Sequence, residues 1–200
     1  MKHPRVAITG MGVISSIGKN VEENYRSLID GKHGISDIEL LETRHKGHLK
    51  VGEIKISNEE FIRILRLPED TNYTRTTFLS IMAAKEAVES AGITDINEFR
   101  TGIISSTSVG GMDTSEHYFY DYEDRPDKQK YIVSHEASFS TSAIADFLGL
   151  KGLTSTISTA CSSAANAIMM GAKLIQSGTL ERVIVGGADA LSKFTLNGFK

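Results

Sequence analysis

A disulfide framework is excluded at once, because the 200 residues hold a single cysteine, Cys161. The start, MKHPRVAITGMGVISS, lacks the unbroken apolar core and small-residue cleavage site of a signal peptide. With one cysteine and no such signal, the reading is a reducing cytoplasm, where the sequon Asn72-Tyr73-Thr74 is without consequence. No stretch approaches the roughly 18 consecutive apolar residues of a membrane span. Charge of one sign is also scarce: 22 basic and 25 acidic residues, a formal net charge of -3, are mixed along the chain. That mixture gives nucleic acid no footprint. Internal repeats and low-complexity linkers are missing too, and 40% hydrophobic residues suffice for one sizeable core. One globular unit over residues 1–200 is expected.

The elements present alternate. RVAIT (5–9) is β-branched and apolar and stops at Gly10 and Gly12, which predicts a buried strand and a turn. A helix follows, capped by Asn20, with Glu22 and Glu23 at its positive end and Val21, Tyr25, Leu28 and Ile29 at helical spacing before Gly31. Residues 32–72 read as a polar surface excursion with a short helix at 58–66. From Thr74 to Ala91, Phe78, Ile81, Met82 and Val88 oppose Lys85, Glu86 and Glu89, an amphipathic helix ending at Gly92. TGIISSTSVGG (101–111) predicts a strand and a glycine turn. The polar, aromatic stretch after it predicts a helix and an exposed loop, and SFSTSAIADFLGLKG a helix ending near Gly149. LTSTIS then reads as a strand, 162–177 as a helix and RVIVGGADA as a strand. Strands without a strict polar face, alternating with helices, imply an α/β fold with helices on both sides of the sheet.

Cys161 falls at the junction of LTSTIS and the helix that begins at Ser162. A thiol there meets the unpaired N–H groups and partial positive charge of a helix start, which favour the thiolate that nucleophilic catalysis needs. Small neighbours permit a sharp turn and close approach of an acyl group, and such an elbow offers a backbone N–H to an oxyanion. The competing reading is a buried structural cysteine. The following helix, AANAIMMGAKLIQ, is apolar almost all round apart from Asn166, Lys173 and Gln176, so it is expected between layers, although little later sequence could cover it. Met169 and Met170 read as core packing.

The runs VAITGMGVISSIG, STSVGG, GLKG, STACSSAANAI, LIQSGTLERVIVGGADA and LNGF occur in the order and spacing of the β-ketoacyl-[acyl carrier protein] synthases. The resemblance covers nearly the whole chain and is nearest the elongating, type II branch. It implies a thiolase-like fold in which residues 1–200 are the N-terminal half of a five-layer α/β/α/β/α architecture. It implies that Cys161 accepts an acyl chain as a thioester and condenses it with malonyl-acyl carrier protein by decarboxylative Claisen chemistry, its own N–H forming half of the oxyanion hole. Val109 falls where the family lines its acyl pocket. The implied partners are acyl carrier protein and a second, identical or related, subunit, and no cofactor is implied. Related chain-length factors lack the cysteine. The family's two catalytic histidines belong to second-half motifs that this sequence does not contain; His3, His33, His45, His48, His117 and His135 do not match them and are expected at the surface. A thiolase-like acyltransferase using coenzyme A thioesters, or a scaffold subunit with an inert thiol, would share the elbow.

Other patterns fail on inspection. A dinucleotide loop would need glycine where Ser15 stands. HEASF, from His135, lacks a second histidine where Phe139 stands, and the His45–His48 pair has no ligand framework around it, so no metal is expected. FIRILR with Arg75 forms a small basic group, either a solvated helix face or a docking patch for an acidic carrier protein.

Overall fold

A computed structural model of the chain describes residues 5–120 and 123–199. Helices start where capping residues occur. Asn20 accepts the Glu23 N–H through its side chain and opens α1 (Val21–Ile29). A short antiparallel pair follows, β1 (Ser36–Asp37) with β2 (Lys50–Val51). Ser57 and Glu60 then form a reciprocal capping box on α2 (Asn58–Leu65), and Thr74 caps α3 (Arg75–Ser90). β3 (Thr101–Ser106), buried along its whole length, leads to α4 (Met112–Tyr118), two 3-10 turns (Pro126–Tyr131 and Val133–His135) and α5 (Ala137–Leu148). Gly149, left-handed at φ 66°, ends α5. β4 (Thr154–Ile157), α6 (Ser163–Gln176), β5 (Arg182–Val185) and α7 (Lys193–Gly198) complete the order.

β3 pairs in parallel with β4 on one edge and β5 on the other. The crossover through α5 carries the chain to one side of β3, and the crossover through α6 carries it back across. Right-handed connections therefore put α5 and α6 on opposite faces of the sheet. The core lies where Phe61, Phe78, Ile81, Ile103 and Ile144 meet, with the rings of Phe61 and Phe78 stacked at 5.7 Å.

Several expectations fail, for physical reasons. Residues 5–9 are not a buried strand: they are exposed, Ile8 to 81%, with no strand partner among the described residues. The next residues lie on α3 instead, whose side chains take over the bonds a ladder would supply. Ser90 Oγ accepts the Met11 N–H at 2.9 Å, and Glu86 accepts the N–H groups of Val13 at 2.9 Å and Val21 at 2.7 Å. Gly12 makes the contact possible, because a Cβ there would lie 1.9 Å from the Ala83 carbonyl oxygen. On α1 the expected apolar face is exposed at Tyr25, Leu28 and Ile29, and the buried residue is Asn24, whose amide donates to the Gly18 and Asn20 carbonyls.

α6 buries Ser163, Ala167 and Gly171 against the sheet; the side without Cβ at Gly171 faces Val183 and Val185. It is not enclosed between layers, since Ile168, Met169 and Met170 are exposed. His45 is not at the surface: it is 5% exposed and its Nε2 lies 3.0 Å from Asn197 Oδ1 of α7. His33, His48, His117 and His135 are exposed as expected, and His3 lies outside the described residues. The basic group is also split. Arg63 and Arg66 are exposed, whereas the Arg75 guanidinium donates to the carbonyls of Ile54 and Ile56 and to Asn58, so it locks the polar excursion onto α3.

Candidate active site

Small residues build the turn between β4 and α6. Ala160 sits at φ 50°, the left-handed region that a branched side chain avoids. The turn leaves Cys161 exposed immediately before the N-cap residue Ser162. Hydroxyl groups hold it from within. Ser163 Oγ accepts the Thr159 N–H at 2.8 Å and donates to the Ala160 carbonyl at 2.7 Å, while Ser162 Oγ donates to the Thr159 carbonyl at 2.8 Å. Asn166, on the first turn of α6, donates to Thr159 Oγ1 at 2.9 Å.

The opposite wall is the turn that follows β3. Gly110 takes a left-handed φ of 56°, and its N–H donates to Thr107 Oγ1 at 3.1 Å. Asp189, from the loop after β5, fastens this turn with one oxygen: Oδ1 accepts the Thr107 hydroxyl at 2.5 Å, the Ser108 N–H at 2.8 Å and the Val109 N–H at 3.4 Å. Gly187 permits the approach, since a Cβ there would lie 2.1 Å from Ser106 Oγ. Ser108 then reaches the other wall, its hydroxyl donating to the Ala160 carbonyl at 3.1 Å. The segments 106–108, 160–164 and 187–189 thereby enclose a cleft of about 130 Å³ with Cys161 in its wall and Asp189 as its charged member.

Of the residues singled out in the sequence, Cys161 lines this cleft, and Val109, half-buried on the adjoining turn, does not. No histidine is among its lining residues. His135 instead pairs through Nδ1 with Ser115 Oγ at 2.7 Å. Among the described residues no three His, Cys, Asp or Glu side chains gather as a metal site. Ser108, Ser163 and Asp189 escape a reading by residue type. Their signal was present only as the runs STSVGG, TACSS and GGADA, and the contact of Ser108 with Asp189 spans 81 positions.

A larger cavity, of about 460 Å³, adjoins the first at Asp189. Its walls include Arg75, Asp113, Glu116 and His117. Asp113 Oδ2 accepts the Arg75 N–H at 3.0 Å and the Thr114 hydroxyl at 3.1 Å, whereas Oδ1 is buried without a partner among the described residues. Burial pushes the Asp113 carboxyl up, against the pull of the Arg75 bond, and pushes the Arg75 guanidinium down. Glu116 accepts the N–H groups of Lys193 and Phe194 and so joins α4 to the start of α7.

This arrangement has relatives. Residues 3–200 match the family model of the β-ketoacyl synthase N-terminal domain. The chain is 30% identical over 205 residues to 3-oxoacyl-[acyl-carrier-protein] synthase 2 of Staphylococcus aureus (strain COL), covering 99% of this chain and 49% of that protein. It is 32% identical over 198 residues to 3-oxoacyl-[acyl-carrier-protein] synthase 1 of Haemophilus influenzae, covering 94% and 47%. Among solved structures, the ishigamide ketosynthase/chain length factor superposes with a TM-score of 0.86 at 27% identity, over 99% of this chain and 50% of the other. The chain thus spans about half the length of the curated relatives it matches, and its fold is the thiolase-like α/β fold. An exposed cysteine on a small-residue elbow, within a match that runs from residue 3 to residue 200, makes this chain a member of the β-ketoacyl synthase family, corresponding to its N-terminal domain.

Proposed function

We propose that this chain supplies the acyl-accepting half of a β-ketoacyl synthase: Cys161 takes an acyl group from acyl carrier protein and holds it for decarboxylative condensation with malonyl-acyl carrier protein. The observation that carries the reading is the elbow, with Cys161 exposed before the first turn of α6 and lining the cleft. As a thiolate, Cys161 attacks the thioester carbonyl, and the charge that develops on oxygen falls to the Cys161 N–H, which donates to no acceptor among the described residues. The S–C bond to Cys161 forms, the donor's C–S bond breaks, and the carrier protein's sulfur departs as a thiolate that takes up the proton Cys161 had released on ionising.

Decarboxylation needs groups that no residue of this cleft supplies. We read residues 1–200, in keeping with their match to the N-terminal domain model, as the N-terminal half of a thiolase-like condensing domain whose condensing histidines the family resemblance assigns to a second half. Val109, next in sequence to Ser108 of the cleft wall, is read by family resemblance as meeting the bound acyl chain. A second identical or related subunit and a cytoplasmic setting complete the reading.

The test is mass spectrometry of the complete protein after incubation with acyl-loaded carrier protein. An acyl adduct on the Cys161 peptide, absent in Cys161→Ala, followed by a 3-oxoacyl product on adding malonyl-acyl carrier protein, is the expected result. No adduct would refute the reading in favour of a scaffold subunit. Loading from coenzyme A thioesters alone would indicate a thiolase-like transferase.

A further inference from the structure

The Ala160 carbonyl and the Cys161 N–H belong to one planar trans peptide unit, so whatever orients the carbonyl also orients the N–H. That carbonyl accepts three hydrogen bonds: from the Ser163 N–H at 3.0 Å, from Ser163 Oγ at 2.7 Å and from Ser108 Oγ at 3.1 Å. The two from Ser163 are local to the elbow. The one from Ser108 comes from across the cleft, 52 positions earlier, and its own backbone N–H is held by Asp189 at 2.8 Å. We infer that Ser108, held by Asp189, is a positioning residue that aims the Cys161 N–H at the oxyanion formed during acyl transfer.

The inference rests on Cys161 being the acylated nucleophile. Ala160 at φ 50° is a conformation that a short chain leaves readily unless its surroundings determine it. The Ser108 bond ties this peptide to the opposite wall, so the two walls move together. A hydrogen bond accepted by a peptide carbonyl also polarises the N–H of the same unit, which strengthens it as a donor. Both effects act on a step in which a carbonyl carbon becomes tetrahedral. Neither acts on alkylation of the thiolate by iodoacetamide, where carbon–sulfur bond formation expels iodide and no oxyanion appears.

That contrast supplies the experiment. In the complete protein, acylation of Cys161 by the N-acetylcysteamine thioester of hexanoate and alkylation by iodoacetamide are measured for the parent, Ser108→Ala and Ser108→Thr. Outright removal of an oxyanion donor slows an enzyme by about 10²–10³, and loss of one bond that aims it is expected to cost about tenfold. The expected result is therefore an acylation rate at saturating thioester about tenfold lower in Ser108→Ala, with KM little changed and alkylation at the parent rate. Threonine, which keeps the hydroxyl, restores most of the rate. Asp189→Ala, which releases Ser108 without altering it, is expected to follow Ser108→Ala. Unchanged acylation in Ser108→Ala overturns the inference, and so does a parallel fall in acylation and alkylation, which would mark a merely structural role. A parent protein that is alkylated but never acylated overturns the proposed function itself, a failure distinct from any seen only in the variants.

Discussion

Lys55 Nζ lies 2.8 Å from Glu53 Oε2, and the same buried carboxylate accepts the N–H groups of Glu39, Leu40 and Leu41. Glu53 is thus the anchor of the polar excursion between β1 and α2. Burial pushes its carboxyl up, but the ammonium and the three N–H groups outweigh burial and hold it down at about 2, from an ordinary 4.5. A depressed acid contributes stability that is present above its unfolded pKa and lost as pH falls through the folded one. Resistance to urea should therefore fall between about pH 4.5 and pH 2. Glu53→Gln should remove about 3 kcal/mol at pH 7 and flatten that part of the profile.

Asp113 has the opposite sign. Its carboxyl is pushed up by burial, with Oδ1 unpartnered among the described residues, so the neutral form suits the fold. Its contribution is fully present below the unfolded pKa and declines as pH rises through the folded one. Asp113→Asn, permanently neutral, should gain on the parent as pH is raised from 3 to 7. Paired urea titrations at the two pH values measure the difference, and a constant offset would contradict the expectation.

The left-handed Ala160 makes a prediction about shape. Ala160→Val should destabilise the chain by about 1–2 kcal/mol, because branching at Cβ is least tolerated at positive φ. Ala160→Gly should leave stability unchanged or raise it by up to about 1 kcal/mol. Thermal unfolding of the two variants distinguishes them.

The outward side of α6 carries Ile168, Met169 and Met170 in the open. Residues 1–200 alone should therefore bind a hydrophobic dye and self-associate as concentration rises. Met169→Glu together with Ile168→Lys should lower both signals without moving the thermal midpoint by more than a few degrees. Light scattering against concentration provides the check.

The start of α1 was legible because its cap is local, Asn20 lying three residues before Glu23, whereas the Ser57–Glu60 box on α2 and the Thr74 cap on α3 were signals of the same kind that went unread. The central strand was legible because TGIISS carries an isoleucine on each face and no charge, and it is buried on both. RVAIT misled because a strand needs a neighbour, and side-chain type cannot say whether one is there; here Glu86 and Ser90 of a helix satisfy the adjoining backbone. His45 and Glu53 misled for a related reason. Each is a polar residue in a polar stretch, and what buries it arrives from elsewhere: α7 covers His45, and three backbone N–H groups 12 to 14 positions upstream enclose Glu53. At the site, small residues around Cys161 marked the elbow, but nothing local links Ser108 to Asp189.

The parallel sheet also sets the order in which this chain can finish folding. Ile103 must wait for Thr154 and then for Ile184 before both of its edges are paired, and such distant pairings are slow to form. The bonds that shape the α6 elbow lie within residues 159–166, whereas the turn after β3 is fastened by Asp189, further along the chain. Until Asp189 is in place Cys161 sits beside an unclamped turn, and the loop after β5 then makes its side chain one wall of a shaped cleft.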